Sequence, residues 1–261
     1  MTEFEAFERI EGSYSKGLLL LCDHASNRLP SRFGTLGLNP AELERHIAYD
    51  IGAGGVATGL AAALGVPAVL SCYSRLLIDP NRGEDDPTLI RQIYDGTIIP
   101  GNYPITDDER AERIRHYYQP YHHAIEAEIA AFEAAGIIPA VLSVHTMTEK
   151  MNGHFRPWHT AMLSDTDRRM ADLMLAGLCK IDHITVGDNE PYDGALGGDT
   201  MFRHCTSAGL AHALIEIRQD LLRDLDGIGE WVNLLAPIIE KVNGDPRLHK
   251  KEWHGTRTLV E

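Results

Sequence analysis

No run of basic residues interrupts this chain, no apolar stretch approaches the roughly 18 residues needed to cross a bilayer, and no cysteines stand at C-x-x-C spacing. Each absence excludes something. With 24 Lys and Arg against 38 Asp and Glu, a net charge of -14, a nucleic-acid partner is not expected. The first twelve residues, MTEFEAFERIEG, are acidic where a signal peptide is basic and then apolar. The expectation is a cytoplasmic protein with no membrane segment. Cys22, Cys72, Cys179 and Cys205 lie scattered, which reads as reduced thiols rather than a disulfide or zinc-thiolate frame. Internal repeats and low-complexity tracts are absent too.

What is present is an alternation of short apolar runs and amphipathic stretches. At 261 residues the chain suits one α/β domain spanning residues 1–261. Leu18 to Cys22 is apolar without polar alternation, as in a strand buried on both faces of a sheet. Similar runs at Val66 to Cys72, Ile138 to Val144, His183 to Gly187 and Ala211 to Ile217 predict four more strands. Helices are expected from Asn39-Pro40 to Ala63, from a capping box at Thr106 and Glu109 to Ala135, from Asp165 to Leu178, and from Asp226 to Val242. This spacing predicts a three-layer α/β/α fold around a mostly parallel, mixed sheet. Gly83 to Pro104 and Asp188 to Asp199, rich in turn-forming residues, read as loops or lids, and Met147 to His159 as irregular. The glycines of Gly52 to Ala57 imitate a dinucleotide-binding fingerprint. That motif must follow a strand, and here it follows helix-like sequence, so close packing of a helix against the sheet is expected instead.

Polar residues gather where strands leave the core. His24 follows the first strand and His145 the third, and in an open parallel sheet ligands bind at that carboxyl edge. Two imidazoles aimed at one point, completed by a carboxylate or amide, are what a divalent cation such as zinc requires. Asp50, Asn27 and Asp23 are candidates for the third ligand. Asp50 is preferred, because an aspartate binds a hard or borderline cation better than an amide does. Taken alone, either histidine reads as a hydrogen-bonded edge residue and Asp50 as a packing carboxylate. Glu216, inside an apolar strand, is either paired with Arg218 or faces a cavity, where it could do general acid/base work. Arg75 and Arg82 flank Asp79 and Asn81 and could bind a carboxylate or steady an oxyanion, or simply form a salt-bridged turn.

The ordered motifs HAS after the first strand, YSRLLIDPNR, YYQPYHHAI, SVHT, NEPYDGALGGDTMFRH and GLAHALIEIRQDL resemble the N-formylglutamate amidohydrolase family, from about Gly17 to Leu222. Zinc carboxypeptidases and aspartoacylase-like deacylases are its wider relatives, so the resemblance implies a zinc-exopeptidase-like sheet. It further implies His24 and His145 as metal ligands, Glu216 as base, Arg75 as the carbonyl-polarising group, and Asn81 with Arg82 as the carboxylate-binding pair. Two departures stand out. Asn27 occupies the place where the carboxypeptidase-type relatives carry a third-ligand Glu, and HAS replaces the HSG usual in formylglutamate deformylases.

The resemblance thus implies a hydrolase for a small anionic N-acyl amino acid, N-formyl-L-glutamate being the named case, with a role in histidine catabolism. A locally positive pocket, with Arg28 or Arg203 assisting, would receive such a substrate. A carboxypeptidase-like deacylase acting on a larger substrate and a non-catalytic acyl-amino-acid-binding protein are the alternatives.

Overall fold

A computed structural model describes residues 4–151 and 153–258. The first three residues of the acidic N-terminal segment, Asn152 in the Met147 to His159 stretch, and the last three residues of the tail lie outside the described residues.

The Leu18 to Cys22 run is strand β2 (Leu18–Cys22), with all five side chains buried. It lies centrally in a seven-stranded sheet. The other members, in chain order, are β1 (Phe7–Ile10), β3 (Ala68–Ser71), β4 (Ala140–Met147), β5 (Thr160–Leu163), β6 (Val186–Asp188) and β7 (His212–Arg218). Across the sheet the order is β1, β3, β2, β4, β7, β5, β6. β3, β2, β4 and β7 run parallel, β1 is antiparallel to β3, and β5 is antiparallel to β7 but parallel to β6. The sheet is mixed and mostly parallel, as expected.

Helices cover both faces, which explains why β2 lacks polar alternation. Leu18, Leu20 and Cys22 pack with α1 (Ala53–Leu64), α4 (Arg169–Leu178) and α5 (Leu225–Asn243). Leu19 and Leu21 face the opposite way, towards Tyr121, Ile125 and Phe132 of α3 (Gln119–Ala134). The Thr106 hydroxyl accepts from the Glu109 N–H at 3.2 Å and starts α2 (Asp107–Arg113), which a wider turn at Ile114–Tyr118 joins to α3. Gly136, with φ at 74°, follows the end of α3.

Three expectations are corrected. The stretch from Asn39 to Ala63 is not one helix: Pro40–Glu44 forms a short 3-10 turn, and α1 begins only after Gly52, whose φ is 83°. A Cβ there would stand 2.5 Å from Leu222 Cβ, so both the backbone and the space require glycine. The α1 glycines serve contacts other than the sheet: added Cβ atoms on Gly55 and Gly59 would meet Ile228 and Val232 of α5, and one on Gly54 would meet Ala25. Finally, β1 and β5 were not anticipated, being four-residue segments too short to show a period.

Candidate active site

The face of the sheet that α3 covers over β2 is open further along, and there a cleft of about 610 Å³ forms over β4, β7 and β5. The alternation of strand side chains determines what lines it. In β4, Leu142 and Val144 join the α1, α4 and α5 layer, which turns Ser143 and His145 the other way. In β7, Ile215 and Ile217 do the same, leaving Leu214 and Glu216 to face the cleft. Glu216 and His145 are register partners on neighbouring parallel strands.

The two predicted histidines meet. Their rings lie 5.0 Å apart, edge to face, and both are buried. His24 Nδ1 is 3.3 Å and His145 Nδ1 2.9 Å from one oxygen of Asp50. One ligand atom from each of His24, Asp50 and His145 lies within 4.8 Å of the others, a group that could hold a metal ion. Asp50 reaches this point from the turn before α1, where its N–H donates to the His24 carbonyl at 3.0 Å.

The far sides of both imidazoles are also held. His24 Nε2 is 2.7 Å from Asp79 Oδ1, and His145 Nε2 is 2.8 Å from Asp23 Oδ2. Carboxylates behind metal-binding imidazoles fix the tautomer and orientation of the ring. The donor set and its backing therefore fit a divalent cation, zinc in particular, because two imidazoles and one carboxylate are ligands that ion favours. Asp23 is occupied behind His145, accepting also from Ser143 Oγ at 2.9 Å, Thr200 Oγ1 at 2.6 Å and Tyr121 OH at 3.0 Å. Asn27 points elsewhere, donating to the Leu43 carbonyl at 2.9 Å. Of the three candidates for the third ligand, only Asp50 stands with the two Nδ1 atoms.

Charge follows this geometry. Burial pushes the Asp23 and Asp50 carboxyls up, but hydrogen bonds and charge from His145 and His24 outweigh it and hold both well below the ordinary range. For Asp79 burial is opposed chiefly by Arg75 and then His24, with the same outcome. Burial alone would lower His145, yet Asp23 and Asp50 raise it well above the usual histidine value.

Glu216 is different. Its Oε2 is buried with no hydrogen-bond partner, and burial, opposed by His145, brings its pKa up to about 7. Arg218 is not its partner: that guanidinium pairs with Asp220 at 2.7 Å. Arg75 lines the cleft but is committed to Asp79 through Nε and Nη2, at 3.2 and 2.8 Å, and to Asp50 through Nη1 at 3.3 Å. Asn81 accepts from the Thr200 N–H at 3.1 Å, and Arg82 lines the cleft, donating to the Asn81 carbonyl at 2.6 Å and to Thr88 Oγ1 at 3.3 Å, with a loose 3.8 Å approach to Asp86. Arg28 and Arg203 do not line the cleft: the first lies over the Phe4 ring and the second reaches Tyr118 and Glu126.

Sequence reasoning missed Asp79 as the partner of His24, Asp199, and Arg91. The presence of Asp79 within YSRLLIDPNR was the available signal, but its direction was not. Asp199 is buried in the cleft wall and accepts from the Phe202 N–H at 2.7 Å. Burial raises its carboxyl, against that hydrogen bond and with help from the Asp23 charge, to about 7 from an ordinary 3.8. A folded-state pKa raised in this way favours folding most below the unfolded value, and the contribution is lost as pH climbs through 7. Its full size is on the order of 4 kcal/mol. Asp199→Asn keeps an acceptor for Phe202 and should remove this loss. Its urea midpoint is expected to gain on the parent's as pH rises from about 4 to about 8.

The Asp188 to Asp199 loop lies tightly on the sheet edge. A Cβ on Gly194 would fall 2.2 Å from the Ser164 nitrogen, so this approach needs glycine.

No curated protein matches the sequence. Among solved structures, a gene product of Agrobacterium tumefaciens is similar at 33% identity and a TM-score of 0.86, over 92% of this chain and 95% of that one. The N-formylglutamate amidohydrolase of Ralstonia eutropha shares the fold at a TM-score of 0.64 and 22% identity, over 91% of this chain and 97% of that one. The family model for N-formylglutamate amidohydrolase matches residues 16–223, which contain every predicted site residue from His24 to Glu216, and the chain belongs to that family.

Proposed function

We propose that this chain is a metal-dependent amidohydrolase that releases the acyl group of a small anionic N-acyl amino acid, N-formyl-L-glutamate yielding formate and glutamate. One observation carries the reading. A carboxylate oxygen of Glu216 is buried without a partner in the same cleft as the His24, Asp50 and His145 cluster. A structural carboxylate would be paired there, because leaving it unmade costs stability. A protein that only binds its ligand has no need of it.

His24 and His145 through Nδ1, with Asp50, would hold the cation, and Asp79 and Asp23 would keep both imidazoles turned towards it. A bound cation supplies Lewis-acid chemistry, bringing the pKa of water towards neutrality and polarising a carbonyl. Glu216 takes a proton from the attacking water at its free oxygen, then gives it to the amide nitrogen as the C–N bond breaks. Burial raises its affinity for a proton above that of an ordinary carboxylate, the direction that proton delivery to the leaving nitrogen requires. Arg75 retains two N–H groups beyond those given to Asp79 and Asp50, and its charge offsets the negative charge growing on the acyl oxygen. Asn81 and Arg82, which line the same cleft as His24, hold the α-carboxylate.

The test is a panel of N-formyl and N-acetyl amino acids assayed for release of the free amino acid. Turnover of N-formyl-L-glutamate is expected, and failure to hydrolyse any member would overturn the reading. Arg82→Ala should raise KM by about 10- to 100-fold with a smaller change in kcat. A normal KM with a collapsed kcat would contradict the carboxylate-holding role.

A further inference from the structure

Gly83 to Pro104, expected as a loop or lid, is fastened down. Within it Ile93–Tyr94 pairs with Thr97–Ile98 as a two-stranded ribbon closed by Asp95 and Gly96, both at positive φ. Arg45 ties the ribbon to the preceding segment, reaching Asp95 at 2.9 Å and Thr97 at 2.8 Å. The other anchor is internal. Asn102, fully buried, donates to the carbonyls of Leu76 at 2.8 Å and Arg91 at 2.7 Å, while its own oxygen accepts from buried Arg113 at 2.7 Å.

This clamp fixes the backbone of Arg91, whose side chain lines the cleft. Its guanidinium stacks on the Tyr94 ring at 4.6 Å, and Arg75 lies over the same ring at 5.4 Å. Among the described residues no carboxylate forms an ion pair with Arg91, and its Nε is buried without a hydrogen-bond partner. Burial lowers its affinity for a proton, against the nearby Tyr94 and Asp79 and with a smaller contribution in the same direction from Arg82 and Arg75. A stacked, anchored guanidinium with its buried Nε unpartnered and no carboxylate in contact is a site prepared for a carboxylate brought from outside.

We infer that Arg91, held by the Asn102 clamp and the Tyr94 ring, selects substrates with an acidic side chain by binding that second carboxylate. This inference rests on the reading of the cleft as an amidohydrolase site, in which Arg82 is assigned to the α-carboxylate. Both arginines line the cleft; Arg82 follows Asp79, the partner of His24, by three residues, whereas Arg91 precedes the ribbon and lies over its Tyr94 ring. The neutral amide analogue of the same shape cannot satisfy Arg91, so the discrimination is one of charge rather than size.

The experiment compares kcat/KM for N-formyl-L-glutamate and N-formyl-L-glutamine in the parent, Arg91→Gln and Arg91→Lys, with calorimetric binding of glutarate to the same proteins. The parent is expected to favour the glutamate compound by about 10- to 100-fold. Arg91→Gln should bring the ratio close to one by losing the glutamate compound, and Arg91→Lys should retain part of it. Glutarate binding should weaken by a similar factor in Arg91→Gln. A parent without preference, a preference surviving in Arg91→Gln, or an equal fall on both substrates would overturn the assignment to Arg91 while leaving the amidohydrolase reading intact. Should no N-acyl amino acid be turned over, that reading fails instead. Glutarate binding then decides on Arg91 alone: its loss in Arg91→Gln upholds the carboxylate site, and unchanged binding rejects it.

Discussion

Glu216→Gln is expected to lower kcat by roughly 10²- to 10⁴-fold, the usual contribution of a positioned general acid/base, with KM little changed. The substitution preserves size and a carbonyl acceptor but cannot take up the proton. Its effect on stability should be small or favourable. The parent carboxylate is buried with one oxygen unpartnered, and burial has already raised its pKa to about 7, so a neutral amide costs less to bury there. Cation content should be unchanged, since Glu216 lies outside the His24, Asp50 and His145 cluster. Steady-state kinetics, metal analysis and a thermal melt on one preparation separate these effects. Full activity in Glu216→Gln would show that another group moves the proton, and lost activity with lost metal would make Glu216 a ligand instead.

Removing the cation should have a comparable effect on turnover and a larger one on stability. Treatment with a chelator is expected to lower kcat/KM by more than about 10³-fold, with recovery on adding zinc. A ligand present at roughly a thousand times its dissociation constant adds about 4 kcal/mol to the native state, which corresponds to a fall in Tm of the order of 10 °C when it is withdrawn. Elemental analysis before and after chelation, with the melting curve, checks both. Unchanged activity in a protein shown to be metal-free would reject the metal-dependent mechanism. Chelation is a cleaner test than His145→Ala. Without that imidazole, Asp23 would lose the ion-pair partner held at 2.8 Å and keep only hydroxyl donors, and breaking a buried pair costs about 3–5 kcal/mol on its own.

How much of this was legible in the sequence differs from element to element. β2 was readable because a strand covered on both faces must be apolar throughout, and Leu18 to Cys22 is. His24 and His145 were readable as polar residues at the ends of such runs. The helix starting at Asn39 was overextended because an apolar pattern does not reveal that Gly52 turns into the left-handed region. β1 and β5 were hidden by shortness, and their places at or near the sheet edges are set by pairing with β3 and β7. In the site, Asp50 was separable from Asn27 and Asp23 only once the side chains had directions. All three are polar residues near strand ends or helix starts, and spacing carries no information about which one faces an Nδ1 atom. Arg91 was least visible. It sits in a segment without periodicity, and what distinguishes it, the absence of a carboxylate partner, is a property of three-dimensional surroundings.

Asp23 receives hydrogen bonds from β4, α3 and Thr200, and the cluster in front of it draws on positions 24, 50 and 145. During synthesis, therefore, the ribosome must have passed residue 145, and the strand carrying it must have docked beside β2, before the three side chains can converge. Fragments ending short of that point would carry His24 and Asp50 yet lack the constellation, so cation uptake under the proposed reading becomes a report on completed assembly rather than an aid to its early stages.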